Sequence, residues 1–489
     1  MSVATPQVFG GPHDRFVAGA RRIKRGTGGV WWVTALLLIA SGLIAATLAG
    51  METTALGLMV AGAVLATVVV QPAIGILMLM ANFLVASYPS PIRGDGLLTI
   101  NNILGIILCV LLTAQLAQRP DLWYLRVRQL HVFLAIGIVF IIGTFVSNHS
   151  FPNLQITAGR FRLLDQTGPM AQDFTTRFAF LVLTLQFLAT KRDLKRATTV
   201  IMICLIMIVP SALLGYASGN AVAGYRAAAD FSAGTNSNRL AFLCLIQIAF
   251  WWYFMRAEPS PERTAFSAGV IGSLIFTVFL SASRSGVLGL GILFYMLTKT
   301  RGGVRGGRLQ VIAVAIIAIG ALLTVIPEEN LERIENLNPF ATGTHEQGSH
   351  STERRVETVE LGWRIFQDYP LWGVGLGNFR EVARQVYQDI YFRPPHNSYV
   401  WSLSEGGIFC LLLYLLLFYY TWIDIRWLQA SPAVPPDLRW IVAALGPCFW
   451  LLLFFSAFAD IWLSPITYII LGMVIAMRHY VSRRRVVLV

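Results

Sequence analysis

Two prolines, a histidine and an asparagine (PPHN, residues 394–397) stand directly before a long apolar run that opens with SYVW. Pro394 and Pro395 have fixed φ angles and stiffen the chain on its way to His396. An imidazole changes charge near neutral pH, so it suits removal of a proton from a hydroxyl group. Glu405 lies about two and a half helical turns further on, which makes it a cap or a packing brace rather than a simple partner.

Arginines form the second group. Arg284 sits in LSASRSGVLG, between two apolar runs with almost no loop around it. A guanidinium near a membrane must be paired, solvated in a cavity or extended to the headgroups. Its planar fork also suits phosphate oxygens. Arg354 and Arg355 open a helical pattern in HSTERRVETVELGW, where a solvated face is the simple alternative to a ligand. Arg226 and Arg239 flank AAADFSAGTNSN, a loop of small and polar residues that can approach a ligand closely. Arg160, Arg162 and Arg177 bracket residues 148–176 without a motif. Together these arginines point to an anionic substrate.

These residues have to be positioned by a membrane bundle. The 489 residues are 56% hydrophobic and 13% charged, with a mean hydropathy of +0.63, which excludes a soluble domain of this size. The formal charge of +13 lies mostly in short loops between apolar runs, so it reads as an orientation signal and no nucleic-acid partner is expected. Cys109, Cys204, Cys244, Cys410 and Cys448 all fall inside apolar runs and read as small buried hydrophobes.

Apolar stretches of roughly bilayer length mark about 14 transmembrane helices, at 30–50, 54–70, 72–88, 100–117, 131–147, 177–190, 197–215, 238–255, 264–282, 286–299, 309–327, 398–422, 439–457 and 460–477. The basic loops at 21–25, 119–128, 191–196, 256–263, 299–308, 424–439 and 478–485 all fall on one side if both termini are cytoplasmic. The expected organisation is a cytoplasmic tail (1–29), helices 1–11 (30–327), a large periplasmic loop (328–397), helices 12–14 (398–477) and a second cytoplasmic tail (478–489). Within the loop, Val356, Val359, Trp363 and Phe366, then Phe379, Val382, Val386 and Ile390, recur at helical spacing on either side of GVGLGN. They predict two amphipathic helices on the outer face of an all-α polytopic membrane protein. The expected outer face carries no GxSxG, HExxH, P-loop or paired acidic motif, which argues against serine hydrolase, zincin, NTPase and metal-dependent transferase chemistry. Neither a metal nor a cofactor is expected.

RVETVELGWRIFQDYPLWGVGLGNF, followed by PPHNSYVWSLSEGGIF, resembles the signature region of the bacterial O-antigen ligase and polymerase superfamily. Arg355, Pro370, Gly373, Gly375, Gly377, His396, Asn397, Glu405 and Gly406 occupy the family's marked places, SASRSG is similar to its Ser-Arg segment, and GTNSNRLAF to its Asn-x-x-Ala stretch. The resemblance covers about residues 225 to 410. It implies a multi-pass glycosyltransferase of the bacterial inner membrane whose site faces the periplasm. The implied donor is a glycan on undecaprenyl diphosphate, and the acceptor is another glycan or lipid A core, with membrane lipids and other polysaccharide assembly proteins as partners. His396 is implied as the base, Arg284 and Arg355 as the diphosphate clamp, with Arg354, Asn397, Arg239 and Arg226 as further binding candidates. The span count favours a polymerase over a ligase. A lipid-linked sugar transporter is the competing class, but transporters keep ionisable groups at mid-membrane, where these spans hold almost none.

Overall fold

The computed structural model describes residues 62–85, 100–118, 122–150, 162–218, 227–228, 236–299, 346–389 and 394–488, and these are helical with no strand among them. After a helical stretch at 62–70 come α1 (Pro72–Val85), α2 (Ile100–Gln118), α3 (Arg128–Ser150), α4 (Arg162–Phe187), α5 (Lys191–Ile206), α6 (Ile208–Ala217), α7 (Ser237–Ala257) and α8 (Pro261–Leu280). They are followed by α9 (Arg284–Lys299), α10 (Glu346–Asp368), α11 (Phe379–Val386), α12 (Ser398–Ala430), α13 (Arg439–Ser456) and α14 (Pro465–Leu488). Among the described residues, eight candidate spans are long and apolar enough to cross a membrane, with α5 and α6 counting as one, and α1 and α9 are shorter apolar helices. The expected spans at 30–50 and 309–327, and residues 54–61 of the span at 54–70, lie outside the described residues.

Several boundaries differ from expectation: the span expected at 460–477 is a helix from Pro465 to Leu488, and that expected at 398–422 runs on to Ala430. The helix expected at 177–190 begins at Arg162, because the polar stretch before it continues the same helix instead of forming a loop. The span expected at 197–215 breaks at Met207. Pro210 explains the break, since it offers no N–H to the Ile206 carbonyl and its ring crowds that turn.

α7 forms the centre of the bundle, buried continuously from Leu240 to Trp251, and packs chiefly on α8 and α13. Its Gln247 donates to the Ile201 and Met202 carbonyls at 3.0 and 2.9 Å, which fastens α5 to the core. α3 pairs with α12, α1 with α5, and α4 with α14. The outward faces are apolar: Ile106, Val110, Ile138, Ile141 and Phe145 are all exposed, as lipid-facing residues are. Cys109 is exposed on α2 and Cys204 half-buried, so only Cys244, Cys410 and Cys448 fit the buried reading. Apolar sequence in a membrane helix does not distinguish core from lipid.

Basic segments meet at one end. Asp437 takes Lys191 at 2.8 Å and also Lys195, and Asp424 takes Gln129 at 2.6 Å and Arg478 at 3.4 Å. The starts of α7, α9 and α12 meet at the other end.

Candidate functional site

At this second end, each helix start is held by its own cap. Asn236 Oδ1 accepts from Asn238 N at 2.8 Å, Ser283 Oγ from Gly286 N at 3.1 Å, and Asn397 Oδ1 from Tyr399 N and Val400 N at 3.0 and 3.1 Å. Side-chain acceptors at these positions satisfy amide groups that have no partner within the helix. Ser283 Oγ also donates to Asn238 Oδ1 at 2.8 Å, binding the start of α9 to that of α7. Arg284 is the first residue of α9, following a reversal in which Ala282 has φ of +46°. Asn397, expected at the substrate, has its side-chain oxygen committed to the α12 cap.

The short loop between α13 and α14 completes the site. Ser398 Oγ donates to the Ala459 carbonyl at 2.8 Å and accepts from Ile461 N at 3.0 Å, so the residue between them is fixed from both sides. That residue is Asp460. Its Oδ2 lies 3.0 Å from His396 Nδ1, its side chain is 8% exposed, and its carbonyl accepts from Arg239 Nη2 at 3.1 Å. Arg177 Nε donates to the Leu463 carbonyl at 3.1 Å and secures the far side of the loop. His396 lies just before the helix it was expected to start, with φ of +50°, a conformation rare for a residue with a Cβ. Its side chain is 30% exposed, open on one side and paired on the other.

Sequence reasoning missed Asp460 because ADIWLSP was read as the first turn of a span. The available signal was a carboxylate at the edge of an apolar run, which needs a partner there.

Residues 370–378 form a wedge. Gly373, Gly375 and Gly377 have φ of +63°, +86° and +80°, conformations that glycine adopts without a steric penalty. Val374 N and Gly375 N donate to the Ser404 and Glu405 carbonyls at 3.0 and 2.9 Å, and Ile408 N donates to the Pro370 carbonyl at 2.8 Å. These bonds replace the helical ones that α12 gives up at Gly407, where φ is +65°. A Cβ at Gly143 of α3 would lie 2.5 Å from the Trp372 carbonyl, so the wedge fills the space between α3 and α12. Glu405 is buried and bonds the wedge directly: Oε2 accepts from Gly377 N at 2.9 Å and Oε1 from Phe379 N at 3.1 Å, at the start of α11. It is a cap, as the sequence suggested, and no partner of His396.

α10 crosses the start of α12 where Gly362 meets Val400, a Cβ at Gly362 falling 2.3 Å from the valine Cγ1. Thr358 and Ile365, one turn to either side, are buried, and Arg355 lies seven residues before Gly362 on the same stripe. The expected apolar stripe is not the packed one, since Trp363 is 50% exposed beside Phe366. Packing follows the small residues that let helices approach rather than the large ones. The side chain of Arg354 and all of Arg226 lie outside the described residues.

The site thus joins an imidazole–carboxylate pair, capped helix starts with positive dipole ends, and the arginines of α7 and α9. No curated protein matches the chain. Residues 268–415, running from α8 through the wedge into α12, match the family model described as O-antigen ligase. This region contains Arg284, Arg355, the wedge and His396, and over this segment the chain is similar to the O-antigen ligase family, which supports glycan transfer in O-antigen or polysaccharide assembly by a multi-pass membrane protein.

Proposed function

We propose that the chain transfers a glycan from an undecaprenyl-diphosphate-linked donor to an acceptor hydroxyl, joining repeat units of an exopolysaccharide or O-antigen. The His396–Asp460 pair is the observation that carries this reading. With Nδ1–H donating to the carboxylate, Nε2 keeps its lone pair for the acceptor, the tautomer a general base needs.

The acceptor O–H proton passes to Nε2 as its oxygen attacks the anomeric carbon. The bond from that carbon to the diphosphate breaks, and its electron pair departs with the diphosphate oxygen. Diphosphate leaves without taking a proton, so a positive clamp suffices on that side and neither metal nor nucleotide sugar is required. Arg284, at the start of α9, and Arg355, on the stripe of α10 that faces α12, form the clamp. That stripe favours Arg355 over Arg354. Arg239 holds the Asp460 loop in place. Glu405 is an acid buried within a span, yet its carboxylate is engaged by two backbone amides, which favours an enzyme over a transporter.

The site faces the periplasm from the bacterial inner membrane, and the basic end of the bundle and both termini face the cytoplasm. The test is complementation of a polysaccharide-deficient strain, with glycan length read on a gel. Wild type restores long chains and His396→Ala yields single repeats. Equal chain lengths from the two would make the histidine structural, and full-length chains left unattached to lipid A core by the variant would identify a ligase.

A further inference from the structure

The opposite end of the bundle holds a cavity of about 410 Å³, formed by the turn at Trp123–Arg126, the start of α3, the later part of α12 and the later part of α14. Arg126, Arg128 and Arg478 line it against a single carboxylate, Asp424. That carboxylate is already engaged by Gln129 and Arg478, and the Arg478 guanidinium lies over the Trp427 ring, 3.1 Å from its centroid. Trp123 stacks on His479 to form another part of the wall. These contacts brace the cavity, and the excess positive charge comes from Arg126 and Arg128, both exposed. The Arg128 guanidinium stands 5.6 Å from the centroid of the Tyr420 ring, at the side of the opening.

The rim has the opposite character. Ile423 lines the cavity and is exposed, and Leu122 and Leu125 are exposed on the turn that carries Arg126, on an end of the bundle whose lateral faces are apolar. A soluble anion needs the arginines alone. A basic cavity with an apolar lip fits a molecule that is anionic at its head and hydrocarbon beyond it.

We propose that this cavity binds the headgroup of an anionic phospholipid, its phosphate oxygens against Arg126 and Arg128 and its acyl chains along Leu122, Leu125 and Ile423. The site is distinct from the glycan-transfer site, since His396 precedes α12 and Asp424 lies near the helix's other end.

The test uses the purified, delipidated full chain and three probes: phosphatidylglycerol, phosphatidylcholine and glycerol 3-phosphate. Wild type should bind phosphatidylglycerol in preference to phosphatidylcholine. Arg126→Gln combined with Arg128→Gln should weaken phosphatidylglycerol binding by roughly 30-fold, the combined worth of two basic residues at a membrane surface. Both side chains are exposed, so the thermal unfolding midpoint should hold. Leu122→Ser with Leu125→Ser should weaken the lipid but not glycerol 3-phosphate. Unchanged binding in the double arginine variant, or equal binding of the two lipids, would overturn the proposal. Glycerol 3-phosphate bound as tightly as phosphatidylglycerol would replace the lipid with a soluble phosphate.

Discussion

Replacing Asp460 by asparagine separates the charge of the His396 pair from its placement. The loop does not depend on the carboxylate, because Ser398 holds Ala459 and Ile461 and Arg239 binds the Asp460 backbone carbonyl. What the substitution removes is a charged acceptor 3.0 Å from Nδ1. A hydrogen bond to a charged group is worth about 1.5–3 kcal/mol, which corresponds to a loss of roughly 10- to 150-fold in turnover. His396→Ala removes the base itself and should cost about 10²–10⁴-fold. Because the carboxylate acts through the imidazole, the doubly substituted chain should be no slower than His396→Ala alone. Single-turnover transfer from a lipid-linked donor, in nanodiscs, measures all three, and thermal unfolding checks that each variant keeps its fold. Losses that add, or an Asp460→Asn rate within about twofold of wild type, would refute the coupling.

Arg284→Ala and Arg355→Ala should each weaken donor binding by about tenfold or more, and unchanged affinity in both would remove them from the clamp. Glu405→Gln keeps one acceptor but leaves either Gly377 N or Phe379 N unsatisfied in a buried place, a loss of about 1–3 kcal/mol visible as a lower unfolding midpoint. Gly407→Ala would place a Cβ 2.2 Å from the Leu371 carbonyl at φ of +65°, and it should abolish recovery of monodisperse protein. Gly105→Ala meets no heavy atom within 4 Å and should be neutral or stabilising by up to about 1 kcal/mol, so equal behaviour of these two glycine variants would discredit the wedge packing.

The sequence exposed the helical architecture because a bilayer demands long apolar stretches and punishes charge inside them. It singled out His396 and the arginines as candidates because polar groups at the ends of such stretches need a reason. It showed that the Asp460 carboxylate needs a partner but not which one, since Asp460 and His396 are brought together by the Ser398 hydroxyl across two loops distant in sequence. It misread the α10 face because Trp363 and Phe366 are large and periodic, whereas the contact with α12 is made at Gly362, where absence of a side chain is the signal.

The wedge explains why this site can be built on a chain segment between spans at all. A loop helix such as α10 touches the start of α12 along one stripe, closest at Gly362. Residues 370–378 bond their backbone to carbonyls exposed at the Gly407 break, inside the bundle. Non-helical backbone is tolerable at such depth only when protein groups satisfy it, and the Ser404, Glu405 and Pro370 carbonyls and the Glu405 side chain do so in both directions. Three glycines are required because φ is positive at each, and at Gly373 and Gly375 a Cβ would lie within 3 Å of neighbouring atoms. The break in α12 and the glycine run are therefore one structural device. It ties the segment between α10 and α11 to α12, which begins just after His396, so on the proposed reading Glu405→Gln should slow transfer although its carboxylate does not pair with His396.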